Sequence, residues 1–455
     1  MRLLLLSLLL LLAACQPSTT PNADKHLGEV HFTVTGNEEA LPHFQEGLLL
    51  LHSFEYEDAR KAFLRAQEAD PGMAMAYWGE TMTYNHPLWR SQTLEDGQAA
   101  LRKLAPSPDE RQAKAANELE KDFLAAVDLL YTTDEATKAE RDQAYADHLA
   151  GMYERYPGNQ EVAAFYALSL LGAVPVGRDE EAYEHGARIA QGIIAENPNH
   201  PGALHYLIHS YDDPEHAQLA LSAANSYSEV APDAAHALHM PSHIYVAMGM
   251  WDEVVRSNIA SFDASVKRMR RLDLTDNARS YHALHWLMYG RLQQGRFADA
   301  KDLMHDLLDY TQEEPDRGAR SYIVSMKGNY LVDSEDWGDT AMTHMTTDLS
   351  DLNISKRAIF HFTRGWRAYL DGDAEQLSAV IADMARERKS AANRVTIEGL
   401  PMCNAAGSSR DQPNQLDIDQ AHVMALQLEA MLADLQDDSA RADALLREST
   451  ELESS

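Results

Sequence analysis

A spacing of 34 residues runs through the middle of this chain. Pro198 and Pro232 stand 34 apart, as do His205 and His239, and His209 and His243. From about Leu41 onward, apolar residues recur at i, i+3, i+4 and i+7, broken roughly every dozen residues by Gly, Pro or Asp-Pro. Two such helical stretches fill each interval, so the unit is a helical hairpin. A hairpin that short cannot bury its apolar stripe alone, and neighbouring hairpins must stack to share one core. The period therefore predicts an all-α array of hairpins. Strand-like alternation is confined to residues 30–34.

With Ala40 as position 1 of a unit, Gly47, Ala59, Phe63, Ala66 and Pro71 fall at positions 8, 20, 24, 27 and 32. Small residues at such positions let two helices cross closely, and the proline stops the second helix. Later units keep the phase. Ala220 is position 20 of a unit from Pro201, and Gly249 and Trp251 are positions 15 and 17 of one from Ala235. Gly295, Phe297 and Ala300 are positions 15, 17 and 20 of one from Tyr281, and Gly372 marks another near Ala358. The pattern resembles the tetratricopeptide repeat. That resemblance implies a right-handed superhelical solenoid of helix-turn-helix repeats over residues 38–390, with insertions at 172–179 and 272–279. Residues 391–417 break the pattern as a long loop, and 418–455 close the array with a capping helical hairpin.

The amino terminus has a different logic. Arg2, the run at 3–12 that is leucine except for Ser7, and Ala13-Ala14-Cys15 form a basic, then apolar, then small-residue sequence. The run is too short to span a bilayer and reads as a cleaved signal peptide, residues 1–14. Leu12-Ala13-Ala14-Cys15 resembles the lipobox of bacterial lipoproteins, which implies lipidation of Cys15, a bilayer as partner, and an outer-membrane address in the cell envelope. Residues 15–37 then serve as the lipidated cysteine and its flexible tether, polar and proline-bearing at 16–25. Cys403 is the second of only two cysteines, so the mature chain has no thiol pair to bridge beyond the anchor. With a net charge of −32, the surface repels phosphate backbones, so nucleic acid is not expected as a partner.

Repeat phase orders the histidines. In tetratricopeptide arrays the first helix of each unit lines the concave face, and positions 2, 5, 9, 12 and 13 point into it. His205 and His209 take positions 5 and 9 of their unit, His239 and His243 take the same positions one unit on, and His285 takes position 5 of the next, where position 9 is Tyr289. At the overall frequency of 20 in 455, those six positions would hold about 0.3 histidines; they hold five. Imidazoles at i and i+4 share a helical face about 6 Å apart and can reach one ion. His205, His209, His239, His243 and His285 are therefore the expected ligands of one transition-metal ion, Zn, Cu or Fe, held by neutral nitrogens. His236 and His282, both at position 2, are the expected acid/base pair if the centre is catalytic, with Asp212 orienting a ligand. Asp213, Glu215 and Asp233 are further acids near in sequence.

Other readings of the same residues stay open. A histidine stack can be a polar spine that holds repeats in register. A groove lined by His, Tyr and Trp can bind a peptide or an envelope protein without chemistry, which makes the chain a scaffold. The aromatic stretch at 76–89 either walls the same groove, with Trp78, Met82 and His86 inward beside Tyr289, or packs between repeats. Pro241, between His239 and His243, either kinks a helix at the site or starts a new one. Met240, Met248 and Met250 have the spacing of core filler. No G-x-G-x-x-G, Walker loop, G-x-S-x-G, H-E-x-x-H or C-x-x-C-H motif is present. The whole chain also resembles a group of bacterial extracytoplasmic tetratricopeptide proteins sharing Tyr77-Trp78-Gly79, His200-Pro201-Gly202, the stretch from His205 to Pro214 and that from His236 to His243. That likeness implies fold and envelope location, and carries no activity.

Overall fold

The computed structural model describes residues 26–132, 136–175, 177–393 and 414–453. The chain is all-α. Its helices are α1 (Ala40–His52) and α2 (Tyr56–Ala69), α3 (Ala74–Met82) and α4 (Leu94–Leu104), a short α5 (Pro108–Gln112), α6 (Glu118–Leu130) and α7 (Lys138–Arg155), and α8 (Gln160–Ala173) and α9 (Glu180–Glu196). There follow α10 (Pro201–Ser210) and α11 (Ala217–Val230), a broken α12 (Ala235–His239) and α13 (Pro241–Ala247) with α14 (Trp251–Arg271), and α15 (Tyr281–Gln293) and α16 (Phe297–Tyr310). The array ends with α17 (Arg317–Ser334), a short α18 (Thr340–Thr343), α19 (Ile354–Leu370) and α20 (Ala374–Ala392), and α21 (Gln415–Leu435) and α22 (Ser439–Glu453). Among the described residues the only strands are β1 (Asn85–His86) and β2 (Ser91–Gln92), a small antiparallel ribbon. Consecutive helices pack as antiparallel pairs in a tetratricopeptide-like solenoid.

The close crossings have the cause the sequence implied. Phe63 of α2 fits between Gly47 of α1 and Gly79 of α3, where an added Cβ would lie 2.8 and 2.3 Å from its ring. The later crossing of α19 with α21 repeats the device, with Gly365 against Leu428.

In the first half the superhelix closes on itself, which an open solenoid does not do. Helix α10 returns to pack against α1. Gly202 makes this possible, since a Cβ there would lie 2.3 Å from His52 Nδ1. The preceding extended stretch fastens the join: the Glu29 amide donates to Asn199 O at 2.9 Å, Asn197 Nδ2 donates to Glu29 O at 3.0 Å, and the Thr35 amide donates to Glu120 Oε1 at 2.7 Å. Gly28, at φ +100, has Asn199 O and Pro201 Cδ each 2.8 Å from where its Cβ would be. Residues 26–37 are thus a strap with Leu27 and Val30 in the core, and the tether expected at 15–37 does not extend through them.

Closure fills much of the inner face with core side chains. One core runs from Leu27 to Val254, and Trp78 lies in it with no exposure, edge-on to Phe123 and Phe165 at 5.4 and 5.3 Å. Met82 is buried beside Phe165 and Leu168. Trp78 and Met82 are therefore core residues and not groove walls. Two larger cores, Tyr281 to Met345 and Ile354 to Leu428, and a small cluster of Val324, Leu352 and Phe360 serve the second half. The closing hairpin begins at Gln415, three residues before the expected boundary, with Asn414 and Asp417 forming a capping box. Cys15 and Cys403 lie outside the described residues, as do the signal peptide and most of the 391–417 loop. Among the described residues no helix is long and apolar enough to cross a membrane.

Candidate metal centre

The sequence His200-Pro201-Gly202 starts α10. The His200 Nδ1 accepts the Ala203 amide at 3.1 Å as an N-cap, Pro201 occupies the first turn, and every residue of the helix is buried. His205 and His209, four apart, face inward side by side. One repeat on, Pro241 interrupts the corresponding helix. The backbone stays helical through Met240 (φ −53, ψ −36), but α12 ends at His239 and α13 starts afresh at the proline.

Six imidazoles meet in two triads. In the first, His209 Nε2 and His236 Nε2 lie 3.1 and 3.2 Å from His205 Nε2. In the second, His243 Nε2 and His282 Nε2 lie 3.1 and 2.9 Å from His239 Nε2. Each triad has one design: two histidines a helical turn apart and a third from position 2 of the next unit. The triads adjoin, with His209 and His243 ring centres 5.9 Å apart and those of His236 and His239 6.1 Å apart.

Proton bookkeeping distinguishes these contacts from ordinary hydrogen bonds. His205 Nδ1 lies 2.7 Å from the carbonyl of His52, so it carries the proton and Nε2 is a bare lone pair. That single lone pair cannot accept from both His209 and His236. Asn258 Nδ2 donates to Val254 O, which turns its Oδ1 toward His239 Nδ1 at 2.7 Å and bares His239 Nε2. Asp212 Oδ2 accepts a hydrogen bond from His243 Nδ1 at 2.7 Å. The single lone pair of His239 Nε2 then faces both His243 Nε2 at 3.1 Å and His282 Nε2 at 2.9 Å. Burial, the largest influence, pushes His205 and His239 down to about 3 and His209, His236 and His282 well below the usual range, so these five rings hold no extra proton near neutrality. In each triad the central nitrogen lies 2.9 to 3.2 Å from the other two and all three lie within 4.8 Å of one another, close to what one ion at about 2.0–2.1 Å asks, for which tetrahedral bonds give separations of about 3.3 Å.

A third cluster shows the contrast. His52 Nε2 and His200 Nε2 lie 2.8 and 3.2 Å from the two oxygens of Glu161, all fully buried. Tyr206 Oη supplies the other side of His52 at 2.8 Å. Here each ring nitrogen has a complementary partner. Burial pushes the Glu161 carboxyl up, and His52 and His200 together pull it further down, well below the usual range. This cluster joins α1, α8 and α10 as a satisfied polar network.

Around the triads, Trp286 covers the second at 5.0 Å from His239 and 4.6 Å from His243. Phe54 covers the first, 4.3 Å from His205, and has φ of +55, a strained value for an aromatic residue. A cavity of about 760 Å³ opens on both triads through His236, His239 and His282. Its outer rim is the 272–280 loop, the repeat's insertion.

Several expectations change. The histidines gather in two triads and not around one point, and His236 and His282, expected as an acid/base pair, stand one in each triad. His285 stands outside both, packed 5.8 Å from Tyr322 with its Nε2 unpaired. Tyr289 packs on Trp251 at 5.9 Å, away from the cavity. His86 does wall the cavity, stacked on Tyr56 at 4.0 Å. Of the nearby acids, Asp212 reaches a triad, whereas Asp213 binds His216 and Arg178, Asp233 meets His26 on the surface and Glu215 caps on Asp213. Trp286, Phe54, Asn258 and Glu161 carried no periodic signal, because each reaches the site from a position outside the groove-facing set.

No family model and no curated protein matches the sequence. Among solved structures, yeast Tom70 aligns at 11% identity over 91% of this chain and 85% of that one, with a TM-score of 0.37. A Rap protein complexed with competence and sporulation factor aligns at 12% identity over 92% and 98%, with a TM-score of 0.36. The tetratricopeptide domain of P58(IPK) aligns at 13% identity over 91% and 98%, with a TM-score of 0.19.

Proposed function

We propose that the two triads hold two transition-metal ions side by side, each by three Nε2 atoms with a coordination position left open. The observation that carries this reading is His239 Nε2, bared by the hydrogen bond of its other nitrogen to Asn258 and approached by both His243 Nε2 at 3.1 Å and His282 Nε2 at 2.9 Å. Neutral imidazole sets suit Zn, Cu and Fe, and among divalent ions Cu binds such a set most tightly. Three protein ligands with an open position are the arrangement of a catalytic or metal-transferring site, where a closed set of four would serve structure. The Asp212–His243 pair fixes a ring and raises its basicity, as a carboxylate behind a ligating histidine does.

The chain from Cys15, purified without a histidine tag, will contain two equivalents of transition metal by mass spectrometry. His205→Ala/His209→Ala and His239→Ala/His243→Ala will each remove one equivalent with helical content retained. Absence of metal after incubation with Zn, Cu and Fe sinks the reading.

Lipidation at Cys15 would place this centre in the cell envelope, tethered to a bilayer, and Cys15→Ser would release the protein into the soluble fraction. A helix-pair solenoid is also a surface for protein recognition. The second half, from α15 on, keeps the open course on which a peptide or envelope protein would dock.

A further inference from the structure

We propose that the cavity beside the triads binds a small aromatic molecule, uncharged or cationic, lodged between the aromatic wall and the 272–280 loop with its inner end at both triads. The inference rests on the two-triad reading only for what the ligand meets at that inner end. Its volume, about 760 Å³, falls in the range that encloses a ligand of one or two rings.

One wall is a continuous set of flat faces. Phe54 stacks on Tyr56 at 5.4 Å, Tyr56 on His86 at 4.0 Å, and Trp89 stands edge-on to Tyr56 at 5.4 Å. Such a wall favours another ring, by stacking and by dispersion across its whole face. The opposite wall includes Leu274, 37% exposed, at the mouth. The loop that carries it is an insertion between α14 and α15 that the stacking of repeats does not need, and six of its residues line this cavity.

Charge selects among rings. The cavity has four carboxylates, Glu55, Glu57, Asp58 and Asp273, against one guanidinium, Arg268. Arg268 is already committed to Asp58 through two bonds of 2.7 and 2.8 Å and to Glu57 at 3.2 Å. In the metal-free cavity a carboxylate or phosphate ligand would find no uncommitted cation and a surplus of negative charge. A phenol or an amine would not be repelled, and an ammonium would be attracted.

Isothermal titration of the metal-free protein with catechol, benzylamine and benzoate tests this, since all three are single rings and differ in charge. Catechol or benzylamine will bind saturably at one site, and benzoate at least ten-fold more weakly. Leu274→Trp, an exposed-loop change that narrows the mouth, will weaken that binding at least ten-fold and leave metal content and the circular dichroism spectrum unaltered. Silence from both favoured probes, benzoate binding as tightly as either, or unchanged binding by Leu274→Trp would falsify the proposal. Ring binding without any metal uptake would remove the metal reading alone, and metal uptake without ring binding would remove this inference alone.

Discussion

Asp212 touches the second triad through a single hydrogen bond, 2.7 Å to His243 Nδ1, and so isolates the contribution of one carboxylate. Asp212→Asn keeps the shape and removes the charge that favours a metal-bound imidazole. It will weaken one of the two metal equivalents by about 10- to 100-fold in a competitive chelator titration and leave the other unchanged. Equal weakening of both equivalents would mean that the triads do not bind independently. Phe54 allows a second residue-scale test. Its ring covers His205, but its φ of +55 costs about 1–2 kcal/mol that glycine would not. Phe54→Ala will therefore be the more destabilising variant and Phe54→Gly the milder one by about 1 kcal/mol, read from urea midpoints. The same order of substitutions at an unstrained helical site would run the other way. At this scale the sequence revealed the four histidines of the H-x-x-x-H pairs through their 34-residue recurrence. It did not divide them into two sets, because the third member of each comes from a different repeat. That partnership depends on how tightly adjacent repeats pack, which periodicity does not encode.

Between elements, the decisive contact is α1 against α10. The helical hairpins were legible from apolar period and breakers, and the close pair at Gly47 and Phe63 from repeat phase. The closure was not, because it depends on curvature accumulated over four pairs, and the groove-facing position 2 of Gly202 does not reveal that α1 approaches it. Gly202→Leu would drive a branched side chain into His52, whose ring nitrogen already lies 2.3 Å from the position of a Cβ. Overpacking of this kind costs about 1–3 kcal/mol. Since the His52 carbonyl holds His205 in its tautomer, the variant will also lose metal from the first triad before the second, as read by metal content at rising chelator. Helices α19 and α20 give a pH test far from the triads. Burial pushes the Glu387 carboxyl up, but His361 and Arg357 pull it further down, to about 2, below its ordinary 4.5. A depressed carboxylate contributes stability above its unfolded pKa and loses it as pH falls from about 4.5 toward 2. The α19–α21 core will therefore weaken over that window, and Glu387→Gln will flatten the slope in acid unfolding followed by circular dichroism. An unchanged slope would show that the ion pair is already lost in solution.

Across the whole molecule, the closed first core and the stacked second half are different kinds of structure. The first, from Leu27 to Val254, is locked by contacts between helices 150 residues apart, of which the His52–Tyr206 bond is one. The second relies on neighbours alone and unfolds as a chain of local units. The first triad lies wholly within the closed half. The second spans the seam, with His239 and His243 before α14 and His282 on α15, whose neighbours belong to the next core. An ion at the second triad would therefore tie the halves together, while an ion at the first would stabilise only one. Metal-free protein will show two calorimetric transitions. At a free metal concentration of about 100 times Kd, binding adds about 2.7 kcal/mol, or roughly 5–10 °C for a unit of 150–250 residues. In the native sequence that shift will appear in both transitions and draw them together. In His282→Ala the transition of the closed half will still rise, through the first triad, while that of the second half will stay at its metal-free temperature. If His282→Ala leaves both shifts intact, the second triad does not couple the halves, and its histidines serve the closed core alone.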